Sequence, residues 1–202
     1  MFKKLLIASA ALGALAFPSG AGAIVNSNGV ERCPGQVFEQ AFLQFGDKRH
    51  YTAVDNGNFE DGLNGWDVSG DVALTPFVNV FRPSPGTTAL VMSPGSSVTS
   101  APICASRGYP VARLFQQKLA AGNGSGSLKV EVLWPPRERG GQRSAKPAGR
   151  LRGSDLFAPS RKFAIGQGRA RRGTAPIRFR FTVVGDATYL IDDLMLDPRC
   201  RR

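Results

Sequence analysis

The chain has 202 residues, a formal net charge of +11, 42% hydrophobic residues and a single histidine. This length fits one domain with a sizeable core. Beyond residue 23 no stretch has about 18 uninterrupted apolar residues, so we expect no membrane-spanning helix in that part of the chain.

Residues 1–23 show the three-part pattern of a secretory signal peptide. Lys3 and Lys4 precede an apolar run over residues 5–17, and small residues follow at positions 21–23. The apolar run is short for a bilayer span, although an N-terminal membrane anchor is the alternative interpretation. We therefore predict cleavage after residue 23 and a secreted, extracellular protein.

Three cysteines follow the signal, at Cys33, Cys104 and Cys200. Export makes a disulfide plausible, and one bridge has three possible pairings. We predict Cys33–Cys104, which would close a long loop and stabilise the fold by roughly 4 kcal/mol. It would hold residues 24–50 as an N-terminal extension. The pairing Cys33–Cys200 is the main alternative, and an odd Cys200 would be free or would link two chains in a dimer.

Strand signals dominate from residue 37 onwards. The candidates in chain order are residues 37–45, 51–54, 66–74, 77–81, 87–92, 97–103, 111–118, 127–134, 162–165, 177–184 and 188–196. They are short and separated by Gly, Pro, Asn or Ser clusters, which favours a sandwich or barrel over an α/β fold. Residues 128–134 and 177–183 alternate between apolar and polar side chains, so one face of each should lie in the core.

The basic residues are concentrated in one region. Between Arg137 and Arg180 there are thirteen lysines and arginines against two acids. Residues 135–173 are rich in Arg, Gly and Pro, which predicts a loop region with one short strand near residues 163–165. Such a region attracts acidic polymers, anionic cell-wall material or nucleic acid. A solvated, highly charged loop is the alternative.

Two segments at opposite ends of the chain beyond the signal combine apolar strand residues with carboxylates. Residues 56–66 read NGNFEDGLNGW, and residues 189–197 read YLIDDLMLD. The first resembles the opening of the CenC-type carbohydrate-binding modules, and the second resembles their closing strand. The resemblance covers roughly residues 51–197. It implies an all-β jelly-roll β-sandwich of the galactose-binding type over residues 51–198. The whole chain also resembles small secreted bacterial proteins.

The resemblance implies a structural calcium ion where the two segments meet. The first and last strands of a sandwich are often neighbours, and calcium prefers six to eight oxygen ligands. The predicted ligands are Asn58, Glu60, Asp192 and Asp193. The alternative is that these acids cap turns or face water.

The candidate ligand-binding residues are aromatic or basic. Trp134 ends a strand beside two prolines, and Tyr109 lies on a Gly-Tyr-Pro turn. Arg178 and Arg180 should lie on an outward sheet face, where guanidinium groups bind carboxylate or phosphate. Burial is the alternative for Trp134, surface ion pairing is the alternative for the arginines, and Trp66 is expected in the core.

Catalysis has little support in the sequence. His50 has no Gly-x-Ser-x-Gly elbow or zinc-type spacing to accompany it. Adjacent Asp192 and Asp193 should point to opposite faces of a strand, which suits no acid/base pair. The resemblance of the two segments and the concentrated positive charge together imply a non-enzymatic module that binds carbohydrate, with acidic cell-envelope polysaccharide as the expected partner. The alternatives are a structural or adhesive protein that binds another protein, and a weak nucleic-acid binder, for which aromatic residues are scarce near the arginines.

Overall fold

The computed structural model describes residues 37–82, 86–106, 111–119, 125–136, 142–166 and 174–197. The predicted signal peptide lies outside these residues, as do Cys33, Tyr109 and Cys200. Cys104 is buried in a strand, and its predicted pairing with Cys33 stays a prediction. Across the described segments, no helix has the length and apolar character needed to span a membrane.

Short antiparallel strands make up the described fold. In chain order they are β1 (Thr52–Ala53), β2 (Asp67–Ser69), β3 (Val72–Pro76), β4 (Thr88–Met92), β5 (Ser97–Thr99), β6 (Ile103–Ser106), β7 (Val111–Leu119), β8 (Gly126–Trp134), β9 (Ser144–Leu151), β10 (Ala158–Pro159), β11 (Phe163–Ala164), β12 (Thr174–Gly185) and β13 (Thr188–Leu196). A 3-10 helix at Leu43–Phe45 precedes them.

The strands form two sheets that pack face to face. The first sheet has the order β10-β7-β13-β4-β3, with β1 paired to β13 and β11 paired to β7. The second has the order β2-β5-β12-β8-β9, with β6 paired to β12. The chain passes repeatedly from one sheet to the other, and sequence neighbours such as β12 and β13 lie in different sheets. This confirms the predicted all-β jelly-roll sandwich.

The core lies between the two sheets and follows the alternation seen in the sequence. On β12 the side chains of Ile177, Phe179 and Phe181 are fully buried, whereas Arg178 and Arg180 lie on the other face. On β8 the side chains in the core cluster are Leu128, Val130, Val132 and Trp134, which alternate along the strand as predicted, although Glu131 and Leu133 are also buried. Burial of large apolar side chains, each contributing about 1.5–3 kcal/mol, is the main force that holds the sheets together.

A second, smaller cluster covers the outer face of the first sheet. Residues 39–51 cross this face, joined end to end by a bridge between Glu39 and Tyr51. Phe42 and Tyr51 pack there against Phe115 of β7 and Met195 of β13, together with Phe81 and Phe157. We call this group of residues the aromatic cover. It removes an apolar sheet face from water.

Several predictions of local structure were wrong. The strand predicted over residues 66–74 is divided between β2 and β3, which lie in different sheets. Residues 37–45 form no strand, because Phe42 packs onto the sheet face and the chain turns through the 3-10 helix. Residues 77–81 also form no strand, because Phe77 and Phe81 pack against Phe157. The basic region contains the eight-residue strand β9, whose composition is weakly strand-forming but which pairs along β8. A partner strand can override local propensity.

Candidate functional site

The two sequence segments meet, as predicted. The Val54 amide donates to the Leu194 carbonyl, and the Leu194 amide donates to the Gly57 carbonyl, both at 3.0 Å. A Cβ atom at Gly57 would lie 2.9 Å from the Leu194 carbonyl oxygen, so only glycine permits this approach. Phe59 and Ile191 belong to the same core cluster.

The first segment is a loop organised by Asn56. Its carboxamide donates to the Gly62 and Asn64 carbonyls, and its oxygen accepts from the Asp61 amide. The Trp66 indole nitrogen donates to the Asn56 carbonyl at 2.9 Å. Trp66 is buried, as expected, and its ring packs 4.8 Å from that of Phe59. Many residues of this motif therefore maintain the loop.

The acidic residues of the two segments lie close together but are engaged by nitrogen donors. Glu60 accepts from the amides of Thr87 and Thr88 at 2.7 and 2.8 Å. Asp193 accepts from Asn79 at 2.7 Å and lies 3.3 Å from the Arg82 guanidinium. These bonds link Glu60 of the first segment to Thr87 and Thr88, and they link Asn79 and Arg82 to Asp193 on β13.

Asp192 and Asp193 do not follow simple strand alternation. The pairing of β13 with β7 is irregular after Asp192, and Asp193 has a φ of 49°, in the left-handed region. Both carboxyl groups are buried. Burial, and then the charge of Asp193, raise the pKa of Asp192, and burial also raises the pKa of Asp193. The sequence predicted neither this irregularity nor the burial of both carboxyl groups.

The predicted calcium ligands do not form a preformed shell in this arrangement. Asn58 is exposed, and the oxygens of Glu60 and Asp193 accept the hydrogen bonds described above. Among the described residues, no three His, Cys, Asp or Glu side chains are grouped as a metal site. An ion would have to displace those donors, so calcium binding stays a prediction from the resemblance.

The calcium prediction can be tested through Asp192. If it is right, calcium added to chelator-treated protein should raise the melting temperature, because the ion would compensate a buried carboxylate. The Asp192→Asn variant should lose that rise, whereas Asp155→Asn, at an exposed position, should keep it. Calorimetric titration without heat, together with an unchanged melting temperature, would argue against calcium.

The predicted ligand-binding residues are separated and largely engaged. Trp134 is only 3% exposed within the core, so its ring has no free face for a sugar. Arg178 pairs with Asp67 and donates to the Ser100 carbonyl. Arg180 pairs with Glu131 at 2.9 Å. For Trp134 the structure shows burial, and for the two arginines it shows ion pairs.

A basic cleft opens at one end of the sandwich, with a volume of about 1090 Å³. Four basic side chains line it: Lys118, Arg150, Arg152 and Arg161. The other lining residues are Ser125, Gly126, Ser127, Gly153, Val184 and Gly185. None of the described lining residues is acidic or aromatic. The cleft therefore attracts anions and offers no ring on which a sugar could stack.

The cleft is assembled from the ends of several strands. Lys118 is near the end of β7, Arg150 lies on β9, and Arg152 follows β9 directly. An Nη of Arg150 donates to the Ser127 hydroxyl at 3.3 Å. An Nη of Arg161 donates to the Arg150 carbonyl at 2.5 Å, which places the Arg161 guanidinium beside the main chain of Arg150. Like charges gathered in this way favour binding of an anionic ligand.

The sequence identified the region of this site but not its residues. Three of the four bases lie within the segment of concentrated positive charge, whereas Lys118 lies outside it. No sequence signal separates Arg150 and Arg152 from the neighbouring Arg143 and Lys146. The structure separates them because Arg150 and Arg152 lie at the end of β9 that borders the cleft, whereas Arg143 and Lys146 lie around the start of β9.

The chain is similar to several solved structures, whereas comparisons of sequence find no match. No protein-family model matches the chain, and no curated protein matches it significantly. Among solved structures, it is similar to the CBM22-1 xylan-binding domain of Xyn10C from Paenibacillus barcinonensis (TM-score 0.46, 15% identity, 73% of this chain and 96% of that chain). It is also similar to a family 16 carbohydrate-binding module-2 (TM-score 0.48, 15% identity, 72% and 99%).

A third similar structure contains the CBM22-1 and GH10 modules of xylanase 10B from Clostridium thermocellum (TM-score 0.47, 15% identity, 74% of this chain and 28% of that chain). The structural neighbours include several carbohydrate-binding modules of galactose-binding-like jelly-roll fold. At these scores and identities no ligand or site residue is transferred to this chain. The resemblance to the CenC type in particular stays a prediction.

Proposed function

We propose that this protein is a secreted, non-catalytic module that binds an acidic polysaccharide through the basic cleft. The observation that carries the proposal is the convergence of four basic side chains, from three chain segments, on a cleft whose described lining residues include no acid. Arg150, Arg152 and Arg161 are exposed, so their guanidinium groups can reach a ligand.

The chemistry of the cleft suits an anionic glycan better than a neutral sugar. Neutral sugars are commonly held against aromatic rings, and the described lining residues provide none. Guanidinium groups instead bind carboxylate or sulfate oxygens through paired hydrogen bonds. The serine hydroxyls of Ser125 and Ser127 can add hydrogen bonds to sugar hydroxyls. The ligand expected from this chemistry is a glycan chain that carries repeated anionic groups.

Binding to polysaccharides of defined charge tests the proposal. We expect the full chain to bind polygalacturonate and dextran sulfate at low salt, to bind unsubstituted dextran undetectably, and to lose affinity as salt rises. Arg150→Gln and Arg152→Gln should each weaken binding about tenfold, which is the loss of about 1.4 kcal/mol. Isothermal titration calorimetry or affinity electrophoresis would measure these changes.

The matched control is Arg143→Gln, which removes the same charge at an exposed position outside the cleft. It should change affinity by no more than about twofold. Equal losses in all three variants would show that binding follows net charge alone and would overturn the proposal. Single-stranded DNA bound as tightly as the charged polysaccharides would do the same, since it would remove the carbohydrate from the explanation.

A further inference from the structure

The cleft has a buried tyrosine beneath it that the proposed ligand would not touch. Tyr189, near the start of β13, is fully buried in the core. Its main chain pairs directly with that of Lys118 on β7. Lys118 lines the cleft, so Tyr189 lies directly beside one of its walls.

The hydroxyl of Tyr189 contacts the main chain of two of these walls. It donates to the Arg152 carbonyl at 2.6 Å, and it also lies 3.0 Å from the Gly126 carbonyl and 3.4 Å from that of Leu151. Burial raises the pKa of Tyr189, so the phenol keeps its proton near neutral pH. The single hydroxyl proton is best placed for the Arg152 carbonyl, just after β9, and the Gly126 carbonyl at the start of β8 lies close beside it.

The ring of Tyr189 packs against the turn that follows Arg152. Gly153 has a φ of 66°, and a Cβ atom at this position would lie 3.0 Å from Cε1 of Tyr189 and 3.3 Å from Cβ of Lys118. The turn after Arg152 therefore packs too closely against the tyrosine ring and Lys118 to accept a side chain at Gly153. This contact leaves little room for the Arg152 main chain to move while the ring and the hydroxyl are in place.

We infer that Tyr189 is a positioning residue for the basic cleft, holding the main chain of Arg152 so that its guanidinium faces the anionic ligand. The inference rests on the proposed function, because it assigns Tyr189 a part in the same binding site. Without the hydroxyl, the Arg152 segment would sample more positions, and its guanidinium would bind at a higher cost in conformational entropy.

A double-mutant cycle with Arg152 tests the inference. We expect Tyr189→Phe to weaken polygalacturonate binding about fivefold, a coupling typical of groups in direct contact. In the Arg152→Gln background the same change should have almost no further effect, because the positioned group is already gone. In the Arg150→Gln background it should still cost about fivefold. Titration calorimetry at fixed low salt would give the four affinities of each cycle.

A matched control separates positioning from a general loss of stability. Tyr51→Phe removes another buried tyrosine hydroxyl. Tyr51 belongs to the aromatic cover, and its hydroxyl donates to Asp47. This variant should lower the melting temperature while leaving affinity unchanged. Equal losses from Tyr189→Phe in the wild-type and Arg152→Gln backgrounds would overturn the inference, as would no loss in either. Failure of the wild-type chain to bind at all would instead overturn the proposed function.

Discussion

Replacing Asp47 by asparagine should lower the free energy of unfolding by about 3 kcal/mol at pH 7, as expected for removing one partner of a buried ion pair. The carboxylate is 7% exposed and accepts from the Tyr51 hydroxyl at 2.7 Å. Arg113 and Lys162 lie 2.9 and 3.0 Å from the same oxygen. Asparagine would leave two positive charges without their counter-ion.

The effect should depend on pH in a defined direction. Burial acts to raise the pKa of Asp47, but hydrogen bonds from Tyr51, Lys162, Arg49 and Arg113 outweigh it and lower the pKa to about 2. The carboxylate therefore contributes its full stability above the ordinary pKa of 3.8, and the contribution is lost as pH falls through about 2. The difference between wild type and variant should be constant above about pH 5 and should shrink below pH 4.

Urea denaturation at several pH values would measure this difference. At pH 7 the melting temperature should fall by about 6–12 °C, given about 2–4 °C per kcal/mol for a domain of this size. The control is Asp155→Asn, an exposed acid outside this network, which should change stability by less than about 0.5 kcal/mol. A variant at Asp47 that matched this control would show that the network contributes no net stability.

Replacing Phe115 by alanine should destabilise the fold by about 4 kcal/mol, within the range for removal of a buried aromatic ring. Phe115 is fully buried on the outer face of β7. Its ring centroid lies 5.1 Å from that of Phe42, 5.6 Å from that of Phe157 and 6.0 Å from that of Phe81. The alanine variant would leave a cavity among rings contributed by separate chain segments.

The Phe115→Ala variant also tests whether the aromatic cover contributes to stability without contributing to binding at the cleft. Phe115 is not among the residues that line the cleft, so affinity for polygalacturonate should be unchanged at temperatures where the variant is folded. Val80→Ala, at a 72% exposed position near the cover, serves as the stability control and should cost less than about 0.5 kcal/mol. A loss of stability as small as that of Val80→Ala would mean that residues 39–51 pack only loosely on the sheet.

Predictions from sequence succeeded where a local pattern is sufficient to determine the burial of a residue. The alternation in β8 and β12 predicted which side chains enter the core, because successive strand residues point to opposite faces. The predictions failed where a contact with a segment remote in sequence determines the local structure. Phe42 looks like a strand residue but packs onto a sheet face, and β9 looks like a loop but pairs with β8.

The predictions for the binding site failed for the same reason, because contacts between remote segments determine which residues are accessible. Trp134 and Arg178 have suitable chemistry, yet the first is buried and the second is paired with Asp67. The cleft residues Lys118 and Arg152 carry no distinguishing pattern. They become neighbours because both contact Tyr189. The main chain of Lys118 pairs with that of Tyr189, and the Arg152 carbonyl accepts from the Tyr189 hydroxyl.

The amino-acid sequence by itself determined the all-β class, the meeting of the two terminal motifs and the presence of a concentrated positive charge. The fold class and the charge follow from periodicity, turn residues and composition, which act over a few residues. The meeting of the two motifs was instead expected from the resemblance and from the frequent adjacency of the first and last strands in sandwiches. Only the tertiary structure decided which basic side chains share a cleft and which face of the first sheet is covered. Both depend on strand order and register, which arise from contacts between segments that are remote in the chain.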